Sequence, residues 1–431
     1  MPEASDQTLL SSTDGSEAPD EQLVLIGMGS PERDFAHGGR VFPLGEVRRV
    51  RFGRADDEQW SHRVRDDVLE VAIPLPWISS VHAELHLEGP RLRIVDRGSR
   101  NGTLLEGVSI GTHANLGVGQ VFEIGRSFWM LRRVRRSVEL EAGGPAYSSL
   151  HVRLLQRAIA RLAPSDVPIL LTGETGTGKE RLARAIHVRS GRKGPFVAVN
   201  VAGSIERLLR NRGERLLAAR GGTLHLEDVG ELVPEEQTKL TSALMSLAAS
   251  EEPEGDVRLV SSSARDLRAM VQAGSFRPDL MARLAGYEAR LPPLRARRED
   301  LGLLSLDVLR RFANGRGLPR IATAVFRSML AHPWPFNLRE LEHSLVAAWG
   351  MIEGEPYEID TETWDQACWR VEGGDPSPSR VEAVRRELVQ QLTRHRGELG
   401  AVAAALQCEV ADVRRWVERF SLRLDRYRDA G

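Results

Sequence analysis

The residues with the plainest chemical meaning form a short glycine-rich segment, Gly173-Glu174-Thr175-Gly176-Thr177-Gly178-Lys179-Glu180. An apolar run, Val167-Pro168-Ile169-Leu170-Leu171, precedes it, and a helical pattern from Glu180 to Val188 follows. Strand, loop and helix in that order make an anion cradle, because consecutive backbone N–H groups and the positive helix terminus point at one place. The glycines let the backbone come close to phosphate oxygens. Lys179 is placed to set its charge against the β and γ phosphates of a nucleoside triphosphate. Lysine is otherwise scarce: Lys179, Lys193 and Lys239 are the only three, and arginine supplies the remaining positive charge. The residue after the lysine is Glu180, where a Ser or Thr hydroxyl usually serves Mg²⁺.

A chain of 431 residues has room for about three domains that position such a loop. With 41% hydrophobic and 28% charged residues its composition is globular. Lys+Arg is 59 and Asp+Glu is 60, so the chain as a whole is no basic nucleic-acid binder, and any DNA contact must be local. Cys368 and Cys408 lie far apart without companions at ligand spacing, which excludes a disulfide framework and a cysteine-based zinc site. No apolar run approaches the roughly 18 residues of a membrane span. The first twenty residues carry acids but no basic stretch, unlike a secretory signal. A reducing, cytoplasmic location and no membrane partner are expected.

The hydrophobic pattern divides the chain. Residues 1–22 are rich in Ser, Asp and Glu and are expected to be a disordered tail. Residues 23–136 alternate with period two between glycine-rich turns, as in HAELHLEGPRLRIVDR, which predicts an antiparallel β-sandwich. A linker, 137–150, contains Gly143-Gly144-Pro145. Residues 151–300 alternate helical spacing with short buried runs (Phe196–Val199, Thr223–Leu226, Val257–Val260), predicting an α/β domain with a parallel sheet. Residues 301–371 are mostly helical, 372–380 form a second linker, and 381–431 carry three short helical patterns.

From His151 to Trp364 the sequence resembles the AAA+ domain of sigma-54-dependent transcription activators, the bacterial enhancer-binding proteins. The resemblance rests on GETGTGKE, FVAVNVA (196–202), GGTLHLEDVGEL (221–232), FRPDLMARL (276–284), LPPLRARREDL (291–301) and WPFNLREL (334–341). It implies ATP with Mg²⁺ as cofactor and self-assembly into a ring or dimer. Arg277 and Arg283 then resemble the arginines that reach a neighbouring subunit's nucleotide, and Arg339 the lid arginine that senses the γ-phosphate. Arginine suits that task, since its planar fork matches phosphate oxygens and keeps its charge. The acidic pair that family members carry as Asp-Glu is Glu227-Asp228 here. By resemblance Glu227 serves Mg²⁺ and Asp228 polarises the attacking water. The shorter Asp228 predicts ATP binding with slow or lost hydrolysis, since a misplacement of ~1 Å can cost ~100-fold in rate.

Three further departures matter. Ala264 stands where the family has a polar Asn, and Phe336 where the lid motif has Gly. Between Val201 and Gly221 lies only AGSIERLLRNRGERLLAARG, without the GAFTGA-type loop through which the family touches sigma-54. ATP energy thus lacks its known lever on RNA polymerase holoenzyme.

Residues Leu23 to Arg133 resemble forkhead-associated (FHA) domains, which read phosphothreonine. The matching blocks are Gly53-Arg54, Ile78-Ser79-Ser80-Val81-His82 and Asp96–Thr103 with Asn101-Gly102. The resemblance assigns phosphopeptide binding to Arg54, Ser79, Ser80 and Asn101; His82 reads as a structural brace. A phosphothreonine of about −1.5 to −2 charge needs several such donors. The carboxyl-terminal helices resemble a Fis-type helix-turn-helix with Arg414, Arg415 and Arg419 outward, for DNA phosphates; a dimerisation bundle is the alternative. The combined expectation is an FHA-like sandwich, a P-loop AAA+ α/β domain with helical lid, and a small helix-turn-helix. It describes a regulator whose ATP occupancy, more than turnover, sets assembly under a kinase-linked phosphothreonine partner. Two alternatives stand beside it: an active sigma-54 activator, and a phosphopeptide scaffold with an inert AAA+ part.

Overall fold

The computed structural model describes residues 21–33, 35, 38–56, 59–89, 91–135, 150–201, 218–248, 256–313, 317–352, 354–368, 391–395 and 397–406. The chain divides into two units, Met1–Cys368 and Trp369–Gly431. Residues 1–20, most of both linkers, the shortened 202–217 stretch, and Arg414, Arg415 and Arg419 lie outside the described residues.

Period-two alternation yields a sandwich of two six-stranded sheets. One has the order β2 (Arg40–Pro43), β1 (Glu21–Gly29), β12 (Ser127–Arg135), β11 (Val121–Ile124), β8 (Thr103–Leu105), β9 (Val108–Ser109). The other runs β10 (His113–Asn115), β7 (Arg91–Asp96), β6 (Ala83–Glu88), β3 (Arg49–Arg54), β5 (Val68–Ile73), β4 (Ser61–Arg65). Pairing is antiparallel except for β3 with β5. Leu85, Leu87, Leu92 and Ile94 turn inward as their alternation requires, onto a core centred on Phe52, Phe122 and Trp129. The Trp129 indole N–H donates to Ser127 Oγ at 2.8 Å, so the buried ring leaves no orphan donor. Glu21 and Gln22, expected in the tail, extend β1 and pair with Arg135 and Val134.

The second domain is a five-stranded parallel sheet in the order β14 (Phe196–Asn200), β15 (Thr223–Glu227), β16 (Arg258–Ser263), β13 (Ile169–Thr172), β17 (Tyr287–Arg290). Its central strands are buried on both faces: β13 is an unbroken apolar run, whereas β15 and β16 also bury polar side chains, among them His225, Arg258 and Ser261. The phosphate-loop strand β13 and the acid-bearing strand β15 are separated by β16, so the Ser263-Ala264 end of β16 falls between the two. Helices Leu301–Phe312, Thr323–Ala331, Asn337–Met351 and Thr361–Ala367 form the lid, tied by a short parallel ribbon of Arg320–Ile321 with Glu358–Ile359 that the helical pattern did not announce.

The sandwich shares a core with this lid. Met28, Phe35, Val121, Phe128 and Met130 join the buried cluster of Leu301, Phe326, Met329, Trp334 and Leu345. Phe326 meets Phe35 in a tilted pair at 4.8 Å and Phe128 edge-to-face at 4.9 Å between centroids. A Cβ on Gly302 would lie 2.4 Å from the Phe35 ring, so only glycine at that point of the lid helix admits it. In the second unit, residues 391–394 and the helix Leu399–Leu406 are helical among the described residues, with Leu392, Val402 and Ala403 buried.

Candidate functional site

The phosphate loop caps β13 and feeds the helix Lys179–Ser190. Gly173, Gly176 and Gly178 all have left-handed φ, at 146°, 78° and 103°. Gly176 is fixed twice over, because a Cβ there would also meet the Phe336 carbonyl at 2.0 Å. The Lys179 ammonium is half-buried and donates to the carbonyls of Gly173 (2.7 Å) and Glu174 (3.0 Å). Burial pushes its pKa down; Asp228 and Glu174 work against that, and Arg339 adds to it. Asp228 and Arg339 thus both lie within electrostatic reach of Lys179, and a Cβ on Gly176 would stand 3.3 Å from the Arg339 Cβ. Thr177 is buried, its hydroxyl donating to Glu174 O at 2.8 Å.

Lid residues hold the loop from outside. Asn337, fully buried, donates its amide to Thr175 O (3.0 Å) and to Glu174 (3.2 Å), and Leu338 N–H donates to Gly176 O. The left-handed backbone of this turn falls on Asn337 (φ 54°), whereas Phe336 has φ −105°, so Phe fits where glycine was expected. Arg295 pairs with Glu174 and holds its carboxyl below the usual range. Arg297, nearly buried, donates to Thr177 O at 3.0 Å. Asn337, Arg295 and Arg297 were not among the expected site residues; the only sequence signal for them was membership of the 291–301 and 334–341 motifs.

The two acids diverge. Glu227 ends β15 on the same side as His225, whose Nδ1 stands 3.4 Å from its carboxylate and which holds its pKa below the usual range. Asp228 follows with left-handed φ 57° and accepts from Asn200 Nδ2 at 3.0 Å. Such a conformation in a residue other than glycine costs free energy, and Asp is among those that tolerate it. Glu180 is exposed and pairs with Arg184 along the helix, away from a metal-ligand role. Among the described residues no group of three or more acidic, His or Cys side chains forms a metal site. Arg277 is exposed and pairs with Asp279 (2.7 Å), while Arg283 makes no ion pair or hydrogen bond among the described residues.

A second site lies where the turns after β3, β5 and β7 meet. Arg54 N–H donates to Ser79 O (3.0 Å), and Arg100 N–H donates to Ser79 Oγ (3.1 Å). The backbones of Arg54 and Arg100 thus meet at Ser79, and neither guanidinium has an ion pair or hydrogen bond among the described residues. Arginines that attach to one serine by their backbones and keep their guanidinium groups unpaired among the described residues are available to a phosphate dianion; Arg100 is the member the sequence reading passed over. Gly53 permits the approach of Ser80, since a Cβ would lie 2.2 Å from the Ser80 carbonyl. Asn101 donates one amide hydrogen to Trp77 O at 2.7 Å, and its amide has one further donor and an acceptor oxygen. Ser80 and Val81 are exposed. The loops are braced from below. Burial works against the Asp96 charge, yet donors from Thr103, Ser99 and Gly98 hold its carboxyl below the usual range. Fully buried His82 accepts from Ser79 N–H at Nδ1 and faces Gly102 O with Nε2, the structural role expected for it. No described helix is long and apolar enough to cross a membrane.

Residues 147–294 match the family model of the sigma-54 interaction domain, and residues 50–125 that of the FHA domain. The transcriptional regulatory protein ZraR of Salmonella typhimurium is 37% identical over 232 residues, covering 48% of this chain and 53% of ZraR. The response regulator protein PilR of Pseudomonas aeruginosa is 36% identical over 271 residues, covering 56% of this chain and 61% of PilR. The chain thus spans between half and two thirds of the length of these relatives. Among solved structures, NtrX from Brucella abortus in complex with ATP is 29% identical over 64% of this chain and 69% of its own, with a TM-score of 0.47. The FHA domain of CT664 from Chlamydia trachomatis is 23% identical over 26% of this chain and 96% of its own, with a TM-score of 0.21.

Burial holds the His82 imidazole below its ordinary value of about 6.5, so it is neutral in the folded loop. The unfolded chain binds that proton more readily. The contribution of His82 is therefore complete above pH ~6.5 and is lost as pH falls from there toward the folded value. Between pH 7.5 and 5.5 the sandwich should lose more stability in the wild type than in His82→Gln, read as the difference in urea midpoint.

Proposed function

We propose that this chain, which joins an FHA domain to a sigma-54 interaction domain, is an ATP-binding transcription regulator of the cytoplasm. In this reading the sandwich takes its input from a phosphothreonine protein, the product of a Ser/Thr kinase. Residues 381–431 contact DNA through Arg414, Arg415 and Arg419. The AAA+ part assembles with copies of itself as a ring or dimer, Arg277 and Arg283 serving the neighbour's nucleotide. ATP occupancy, more than turnover, sets that assembly.

The observation that carries the reading is the convergence of Lys179, Asp228 and Arg339 on a glycine-lined loop whose backbone admits no side chain at Gly176. That donor set fits a triphosphate: a cation for the β and γ oxygens, free N–H groups, and a second cation from the lid. Mg²⁺ accompanying the nucleotide neutralises phosphate charge and takes most of its ligands from phosphate and water. Glu227 and Asp228 are the side chains that would hold it, through water. Asp228, nearer in effect to Lys179 and bonded to Asn200, orients the attacking water; its short arm and Ala264 beside it leave that water poorly held.

The match over 147–294 favours a second reading, an activator that still remodels sigma-54 holoenzyme by another surface. ATP-dependent open-complex formation at a sigma-54 promoter by the purified protein would select it. A third, a scaffold with an inert AAA+ part, draws on Lys179 being satisfied by its own loop carbonyls.

Lys179→Ala should weaken nucleotide binding at least about tenfold, since it removes a charge-assisted contact to phosphate; equally poor binding by wild type and variant selects the scaffold. Restoring the family order with Glu227→Asp and Asp228→Glu together should raise ATP turnover by up to ~100-fold without changing nucleotide affinity. Arg54→Ala should abolish binding of a phosphothreonine peptide in a polarisation assay, and unchanged affinity would remove the phosphate reader from the proposal.

A further inference from the structure

The loop motif Leu294–Asp300 touches the phosphate loop and the sandwich at once. On one side Arg295 pairs with Glu174 and Arg297 donates to Thr177 O, both in the phosphate loop. On the other, Arg298 grips the sandwich: its guanidinium donates to both carboxylate oxygens of Glu106 (3.0 and 3.1 Å) and to Gly119 O (2.8 Å). Glu299 accepts from Arg132 of β12 at 2.7 Å, and the same guanidinium donates to Ala296 O. Glu106 in turn accepts from Val121 N–H, so it is built into the sheet rather than dangling from it.

Glu106 closes the three-residue strand β8, and Asn101-Gly102 opens it. One short strand therefore links the phosphate-reading loop to the Arg298 fork. A parallel route starts at Trp77, whose carbonyl accepts from Asn101. Arg126 lies 5.6 Å over the Trp77 ring and is held by both oxygens of Glu32. Glu32 also accepts from Thr323 at the start of a lid helix. Four residues on, Arg327 forks onto the buried Glu123 of β11 at 2.7 and 2.8 Å.

We infer that Arg297 and Arg298 are positioning residues that join the two sites into one coupled equilibrium. Arg297 sets the shape of the phosphate loop, Arg298 fixes that shape to the sandwich, and a phosphothreonine ligand and a nucleotide each change the affinity for the other. The inference rests on the proposed function, because it needs both ligands to bind. It adds the physical connection: not the linker 137–150 but a pair of adjacent arginines of opposite orientation. Neither member touches a ligand; each acts through groups that do.

The coupling must be reciprocal, since both legs of a thermodynamic cycle close on one free energy. In the full-length protein, a saturating phosphothreonine peptide should shift the Kd of a fluorescent ATP analogue about fivefold or more, and the analogue should shift the peptide Kd by the same factor. Arg298→Glu should leave each ligand's affinity alone within about twofold while the mutual shift collapses to one. Arg298→Glu combined with Glu106→Arg should restore it, which a variant that merely misfolds would not do. If both ligands bind wild type without affecting one another, or if the shift survives in Arg298→Glu, the coupling is overturned while the proposed function stands. If one ligand fails to bind wild type, both fall together. Hydrogen exchange of the Glu174–Lys179 amides gives a ligand-free check: faster exchange in Arg298→Glu supports the joint, and unchanged exchange removes it.

Discussion

A half-buried ammonium needs compensation, and the nucleotide domain is arranged around that need. Lys179 sits at the mouth of a loop made of carbonyls and backbone N–H groups, with Asp228 favouring its charge and Arg339 opposing it. An isolated cation at such a depth would shed its proton or be driven out. Here two loop carbonyls hold it, at the very positions that keep it beside the phosphate cradle. The tight turns at Gly173, Gly176 and Gly178 serve this arrangement, as does the lid that packs its Phe336 carbonyl against Gly176. The polar surroundings of the loop follow from it too. Glu174 is charged, so it draws Arg295 and Asn337, and these anchor the motif that carries Arg297 and Arg298.

How much of this was legible in the sequence depends on how far apart the interacting residues lie. The phosphate loop is contiguous, and its spacing alone gave its position and chemistry. The sandwich announced itself by alternation, with Leu85, Leu87, Leu92 and Ile94 inside as their parity required. Contacts between distant segments carried no such signal. Arg298 and Glu106 are 192 positions apart, and Arg327 and Glu123 are 204; each reads as an ordinary surface residue in an arginine-rich chain. Glu123 even sits in a strand whose four residues are all buried, because a partner from the lid satisfies it.

The same holds for substitutions read as drift. Phe336 stands where the lid motif has Gly, yet the turn's left-handed residue is Asn337, whose short amide also bonds the phosphate loop. The exchanged acids look symmetrical on paper. In the fold they are not: Glu227 leans on His225 while Asp228, which has left the strand, accepts from Asn200 and favours the charge of Lys179.

The notch at Gly302 limits how such a chain can be rearranged. Its lid helix has surrendered a side chain so that an aromatic ring from another module can occupy the space. Modular regulators are commonly imagined as beads whose sensory bead can be exchanged by cutting the string between them. Here a graft made at the linker would uncover an apolar socket lined by Phe326, Met329 and Leu301, and the half that carries it would become sticky. A different amino-terminal module would have to refill that socket, so neither side of the seam can be exchanged alone.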